Sequence, residues 1–215
     1  MPSHQVKLGL AGCALFVLLA MSLVVFVSTL TVTATSKSVR SASGEAVSTG
    51  ELIAIRSPDY ERVSVLLLAG GSWVSYTATT GTVLTPFATQ GIVALEQKGP
   101  HVQELAVFDV TRKEWVTHPL PSPIKGEVTP LLNGNHALFL TASQVYVYNG
   151  GSRKWDVLDL PGKTLPDVRA VQNAFLVQQG QTLFVYSLVA STWSKGIISE
   201  PLDLSGRSYR GSSSF

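Results

Sequence analysis

Cysteine and charge are both scarce in this chain. Cys13 is the single cysteine among 215 residues, so no intramolecular disulfide can form and no cysteine-based zinc site can be built. Only 14% of residues are charged, against ~25% in ordinary soluble domains. A disordered or nucleic-acid-binding tail protein needs far more charge and is excluded on that ground. The net charge is +2, and its excess sits early, in Lys7, Lys37 and Arg40 against Glu45. From Glu51 onward 13 basic residues balance 13 acidic ones. No basic face for a polyanion is expected, and hence no nucleic-acid partner.

The usual catalytic signatures are missing too. No HExxH, GxSxG, Walker or GxGxxG spacing occurs. His4, His101, His118 and His136 have no ligand spacing among them, and the last three read as ordinary loop residues. Asp156 and Asp159 stand three apart, which on a strand places them on opposite faces. A glycosidase needs carboxyl groups that face each other. The expectation is therefore no catalytic residue, no metal site and no cofactor.

What the chain does have, first, is a long apolar run. Leu8 to Leu30 is 23 residues without a charge. As a helix it spans ~34 Å, slightly more than a hydrocarbon core of ~30 Å. It exceeds the ~7–15 residues of a secretory apolar region. Residues 1–30 are expected to be a transmembrane anchor contacting the lipid bilayer through Leu8 to Leu30. A cleaved signal peptide is the alternative, because Ala34-Thr35-Ser36 offers small residues for a peptidase. Basic residues flank both sides of the run, so the positive-inside bias nearly cancels. A short basic leader points to a cytoplasmic N-terminus with the following domain on the extracytoplasmic side. Residues 31–50, rich in Ser, Thr, Ala and Gly, read as a linker.

Second, the chain has a period. Trp73, Trp115, Trp155 and Trp193 are separated by 42, 40 and 38 residues. Neighbouring positions repeat with them. Eight residues before each tryptophan stands a valine: Val65, Val107, Val147 and Val185. Seven before stands Leu66, Phe108, Tyr148 or Tyr186. Alternating apolar positions followed by a turn and a tryptophan describe a β-hairpin. Another apolar run precedes each window, and short segments near Val83, Val128 and Val168 supply a further strand per unit. About four strands in ~40 residues is the size of a propeller blade. No stretch after residue 45 has a helical period. The expected fold is all-β, a small propeller-like repeat domain of about four blades over residues 51–210, with 211–215 as a tail. The tryptophans, valines and aromatic partners named above are its expected repeat core.

These units resemble kelch and galactose-oxidase-type blades, most specifically in the aromatic–six residues–tryptophan spacing of Phe108 to Trp115, Tyr148 to Trp155 and Tyr186 to Trp193. The resemblance is distant. Kelch blades place a Gly-Gly pair where this chain has Glu96-Gln97, Thr141-Ala142 and Gln178-Gln179. It implies a propeller. The copper chemistry of galactose oxidase needs a tyrosine joined to a cysteine, and the repeat region has none. Propellers often close by pairing the two chain ends in one blade, so residues 201–210 are expected to complete the blade of Trp73. An incomplete ring finished by a partner is the alternative. The turn residues Arg112-Lys113 and Arg153-Lys154, read as standing at matching positions in two units, are expected to lie on one face of the ring as a possible basic rim.

Together these features point to a membrane-anchored, non-catalytic binding or scaffold protein with protein partners, such as an accessory subunit of a larger membrane complex. The alternative is a secreted or anchored enzyme, or a carbohydrate-binding protein, using the propeller mouth.

Overall fold

A computed structural model describes residues 45–162, 164–200 and Leu202. The expected anchor at 1–30, most of the expected linker, and nearly all of the C-terminal segment lie outside the described residues. Among the described residues there is no helix. Fifteen strands form four antiparallel sheets.

The first sheet has the order β1 (Ala46–Ser48), β2 (Leu52–Arg56), β3 (Arg62–Leu67) and β4 (Ser72–Thr77). The second comprises β5 (Val83–Thr89), β6 (Ile92–Asp109) and β7 (Glu114–Val128). The third comprises β8 (Pro130–Asn133), β9 (His136–Leu140), β10 (Gln144–Asn149) and β11 (Lys154–Asp159). The fourth comprises β12 (Asp167–Val171), β13 (Ala174–Gln179), β14 (Thr182–Ser187) and β15 (Thr192–Ile197). Each sheet is a plain meander of consecutive strands, and the sheets follow one another in chain order. That is the construction of a propeller-like domain.

The second sheet is less different than its three strands suggest. β6 has 18 residues and would be ~60 Å long if straight. Yet the Val110 N–H donates to the Gly91 carbonyl at 2.9 Å, joining its two ends. β6 therefore folds back on itself. Its first limb pairs with β5 and its second with β7, which restores four layers. The fold-back lies near Gly99 to Val102, where the register with β7 shifts. The far half of β7 then pairs with this tip, Lys98 opposite Glu127, with an ion pair of 3.4 Å between them.

Three boundaries differ from the sequence reading. Ala46–Ser48 falls in the stretch expected as linker, but Val47 is buried and its strand pairs with β2. The folded unit thus begins before residue 51, and the blade of Trp73 has four strands among the described residues; the closing strand expected at 201–210 lies, apart from Leu202, outside them. Leu202 lies at the fourth sheet, where its N–H donates to Gln178 Oε1 at 3.0 Å. Val128 ends β7, and the first strand of the third sheet is Pro130–Asn133.

Apolar residues alternate along the strands, so each sheet has two faces to bury. Three cores result among the described residues, one between each consecutive pair of sheets. Among the described residues, no core of buried residues joins the fourth sheet to the first. The domain is an arc of four sheets with two ends.

Candidate functional site: the two ends of the arc

The repeat acquires a direction in three dimensions. Phe108 lies directly across the ladder from Trp115, Tyr148 from Trp155, and Tyr186 from Trp193. The seven-residue spacing is that of a hairpin whose turn holds the chain in register. In the last three units the tryptophan and its partner point toward the preceding sheet. Phe108 and Trp115 join the first core, Tyr148 and Trp155 the second, Tyr186 and Trp193 the third. The valines point the other way. Val65, Val107 and Val147 are fully buried against the tryptophan face of the sheet that follows.

Trp115 and Trp155 are each clasped from the sheet before. Trp115 stands 5.4 Å from the Tyr76 ring, centroid to centroid, and its Nε1 donates to the Val74 carbonyl at 3.4 Å. Trp155 stands 5.4 Å from His118, which also packs 5.2 Å from Tyr146. Leu158, at the same position in the third sheet, packs on the core that Trp193 also joins. His118 is thus a strand residue in an aromatic sandwich, not a loop residue, and burial pushes its imidazole below the usual range. His136 is likewise on β9, and burial lowers it too. His101 lies within β6.

A second link between sheets repeats. Asp109 Oδ1 accepts the N–H groups of Thr111 at 2.8 Å and Arg112 at 3.1 Å, which shapes its own turn. Its Oδ2 accepts the Tyr148 hydroxyl of the next sheet at 2.5 Å. Asn149 repeats the arrangement one unit on. Its Oδ1 accepts from Gly151 and Ser152, and its Nδ2 reaches the Tyr186 hydroxyl at 3.3 Å. The Tyr186 hydroxyl also donates to Asp156. Burial raises the Tyr148 and Tyr186 hydroxyls well above the usual phenol range, with the hydrogen-bonded carboxylates adding to it.

The turns place the expected basic rim. Gly71, Lys113, Arg153 and Ser191 occupy one matching position, each with a positive φ between 52° and 61°. Each donates its N–H to the carbonyl four residues back. Lys113 therefore matches Arg153, while Arg112 matches Ser152 and Lys154 matches Glu114. The two dibasic pairs are offset by one residue, and Arg112 is ion-paired with Glu114. The rim carries mixed charge. Asp156 and Asp159 are separate in environment: Asp156 accepts from Tyr186, and Asp159 from Gln144 Nε2 at 2.8 Å. Among the described residues, no three His, Cys, Asp or Glu side chains gather closely enough to hold a metal.

The ends differ from the middle. Trp73 is 53% exposed, and among the described residues no sheet precedes its own. Ile53 lies opposite Leu66, and Leu66 opposite Trp73, so these three form one row, with Ile55 beside them opposite Ser64. Ile55, Arg62, Ser64 and Trp73 help line an open hollow of about 310 Å³. At the far end Val185 is only half-buried, as are Leu176 and Leu183, although the same positions in the third sheet, Val147, Leu138 and Val145, are buried. The site missed by sequence reasoning is this pair of faces. The signal in the sequence is the alternative of an incomplete ring, since a repeat that does not close leaves an unmatched face at each end.

No family model matches the chain, and no curated protein matches it. Solved structures do. A streptogramin B lyase aligns with a TM-score of 0.41 at 15% identity, covering 71% of this chain and 53% of that one. Apo AztD from Citrobacter koseri aligns with a TM-score of 0.41 at 10% identity, covering 71% and 46%. A chain of a mitotic checkpoint complex aligns with a TM-score of 0.38 at 9% identity, covering 67% and 46%. These neighbours have β-propeller-type folds. The chain spans about half the length of the solved structures it matches. The four consecutive meanders of this chain, with their three shared cores, define its own domain as propeller-like.

Proposed function

We propose that this chain is a membrane-anchored, non-catalytic β-propeller-like binding or scaffold protein, held on the extracytoplasmic side and serving as an accessory subunit of a larger membrane assembly. The anchor is the uncharged run at 8–30, whose length suits a bilayer. A distant kinship with kelch and galactose-oxidase-type blades is part of the proposal, supported by the cross-strand pairing that underlies the aromatic–tryptophan spacing.

One observation carries the reading: among the described residues two apolar sheet faces stand at the ends of the arc without a partner sheet, one of them bearing the 53% exposed Trp73. Exposed apolar faces of this kind mark interaction surfaces. The test has two parts. The mature protein should keep Met1 and stay with the membrane after carbonate washing, and recovery of a soluble species beginning near Lys37 would refute the anchor. Gentle solubilisation should release the chain in a complex, and Trp73→Glu should weaken that complex. A chain that is monomeric and partner-free in gently solubilised membranes would refute the binding role.

A further inference from the structure

We infer that the partner covering both end faces is a second copy of this chain, joined head to tail so that two arcs close one ring of eight sheets. The inference rests on the binding role proposed above and names its occupant.

The argument is one of complementarity already present three times in the molecule. Every internal interface is a valine face of one sheet set against the tryptophan face of the next. The first sheet presents an unused tryptophan face: Ile53, Ile55, Leu66 and Trp73, at the positions that Phe175, Val177, Tyr186 and Trp193 fill in the third core. The fourth sheet presents an unused valine face: Leu176, Leu183 and Val185, at the positions that Leu138, Val145 and Val147 fill in the same core. The two ends of one chain are therefore the two halves of its own repeated interface.

The finer features agree. Where Asp109 and Asn149 wait for a tyrosine hydroxyl, the next sheet supplies Tyr148 and Tyr186. At the end of the fourth sheet the matching residue is Ser187, whose Oγ is already used by the Ala190 N–H. The matching residue of the first sheet is Leu66, which has no hydroxyl to place. Joining them strands no buried donor. Where Tyr76 and His118 clasp a tryptophan and Leu158 packs on the core of one, the fourth sheet has Gly196, which leaves room for the Trp73 ring.

An interface between two different patches is heterologous, and it yields either a closed ring or an open filament. With two copies both interfaces form at once, so the second is intramolecular in effect and the pair is held more tightly than one contact would hold it. A single arc closing on itself would bury Trp73 and Val185, and they are not buried.

Sedimentation of the full chain in density-matched detergent tests this. The wild type should have twice the chain mass. Trp73→Glu and Val185→Lys should each give the single-chain mass, with melting curves close to that of the dissociated wild type, because both residues lie on faces that are open in the single chain. Mixing the two variants should restore a double-mass species, since the intact valine face of one meets the intact tryptophan face of the other. A wild type that is single at tens of micromolar overturns the inference, and so does a filament. A Val185→Lys variant that stays double overturns it in favour of a tryptophan-to-tryptophan dimer. If removing residues 203–215 is what permits pairing, the C-terminal segment is the true occupant and the inference also falls. A single-mass wild type that still comes out of membranes in a larger complex, lost on Trp73→Glu, leaves the binding role standing and defeats only this choice of partner.

Discussion

Trp73 and Trp155 occupy the same place in the repeat and have opposite surroundings. Trp155 lies among His118, Phe139 and Tyr148, three rings within 5.7 Å of it, centroid to centroid. Trp73 lies at the edge of an open hollow. The local hairpins are alike, since each tryptophan faces a large residue across its ladder and follows a turn with the same backbone. What differs, among the described residues, is the presence of a preceding sheet. A residue type at a repeat position fixes the hairpin, while its position along the array decides whether it is core or surface.

Breaking that comparison gives the largest expected effect. Trp155→Ala or Trp115→Ala should destabilise the domain by about 3–5 kcal/mol, the range for removing a packed large aromatic. Trp73→Ala, measured by thermal melting of the dissociated chain, should cost less than about 1 kcal/mol. Equal losses at the two positions would mean that the first sheet has a partner within its own chain.

Next comes the carboxylate that serves two sheets. Asp109→Ala removes two turn bonds and leaves the Tyr148 hydroxyl buried without its acceptor. Chemical denaturation should show a loss of about 2–3 kcal/mol. Adding Tyr148→Phe should recover part of it, because the orphaned hydroxyl goes with the substitution. Strict additivity of the two changes would sink the idea of a shared link.

A smaller effect, opposite in sign, is expected in the turns. Arg153 holds φ at 57°, a region that penalises a Cβ, and its side chain is exposed. Arg153→Gly should stabilise by about 0.5 kcal/mol, the relief of strain exceeding the added freedom of the unfolded chain. Gly71→Ala, at the matching position of the first sheet, should destabilise.

The slightest effect concerns pH. His118 and His136 are held below their usual range by burial. The unfolded chain takes up these protons near pH 6.5, before the folded one does. Stability should therefore be full above that value and fall as the pH drops from about 6.5 toward the depressed folded values. Replacing His118 by Phe should flatten this slope in melting experiments from pH 7.5 to 5.0. A slope that is unchanged in the variant would assign the dependence to other groups.

Much of this architecture can be read from the residues. The recurring Val65, Val107, Val147 and Val185, set eight before each tryptophan, mark one strand per sheet, because alternation and turn spacing are local properties. Three things are not local. Ala46–Ser48 is too short to show a pattern and is a strand because Leu52–Arg56 lies beside it. The fold-back within β6 is hidden because extended backbone continues through its tip, stabilised by the far half of β7. The roles of Asp109 and Asn149 as turn residues follow from their positions, yet their grip on the next sheet joins residues 39 and 37 apart. The one-residue offset between the dibasic pairs is visible once Gly71, Lys113, Arg153 and Ser191 are matched by backbone conformation rather than by charge.

The links made by Asp109 and Asn149 run one way along the chain. The side chain that shapes a turn always belongs to the earlier sheet, and the tyrosine that seeks it always belongs to the later one. During synthesis the earlier sheet leaves the ribosome first. At the usual ~5–20 residues per second, a unit of about forty residues takes ~2–8 s to appear. Each new sheet thus emerges beside a neighbour whose turn is already set and whose linking side chain, the accepting Asp109 or the donating Asn149, is already placed. The molecule is suited to assembly in the order of its translation, each unit acting as the template on which the following one settles.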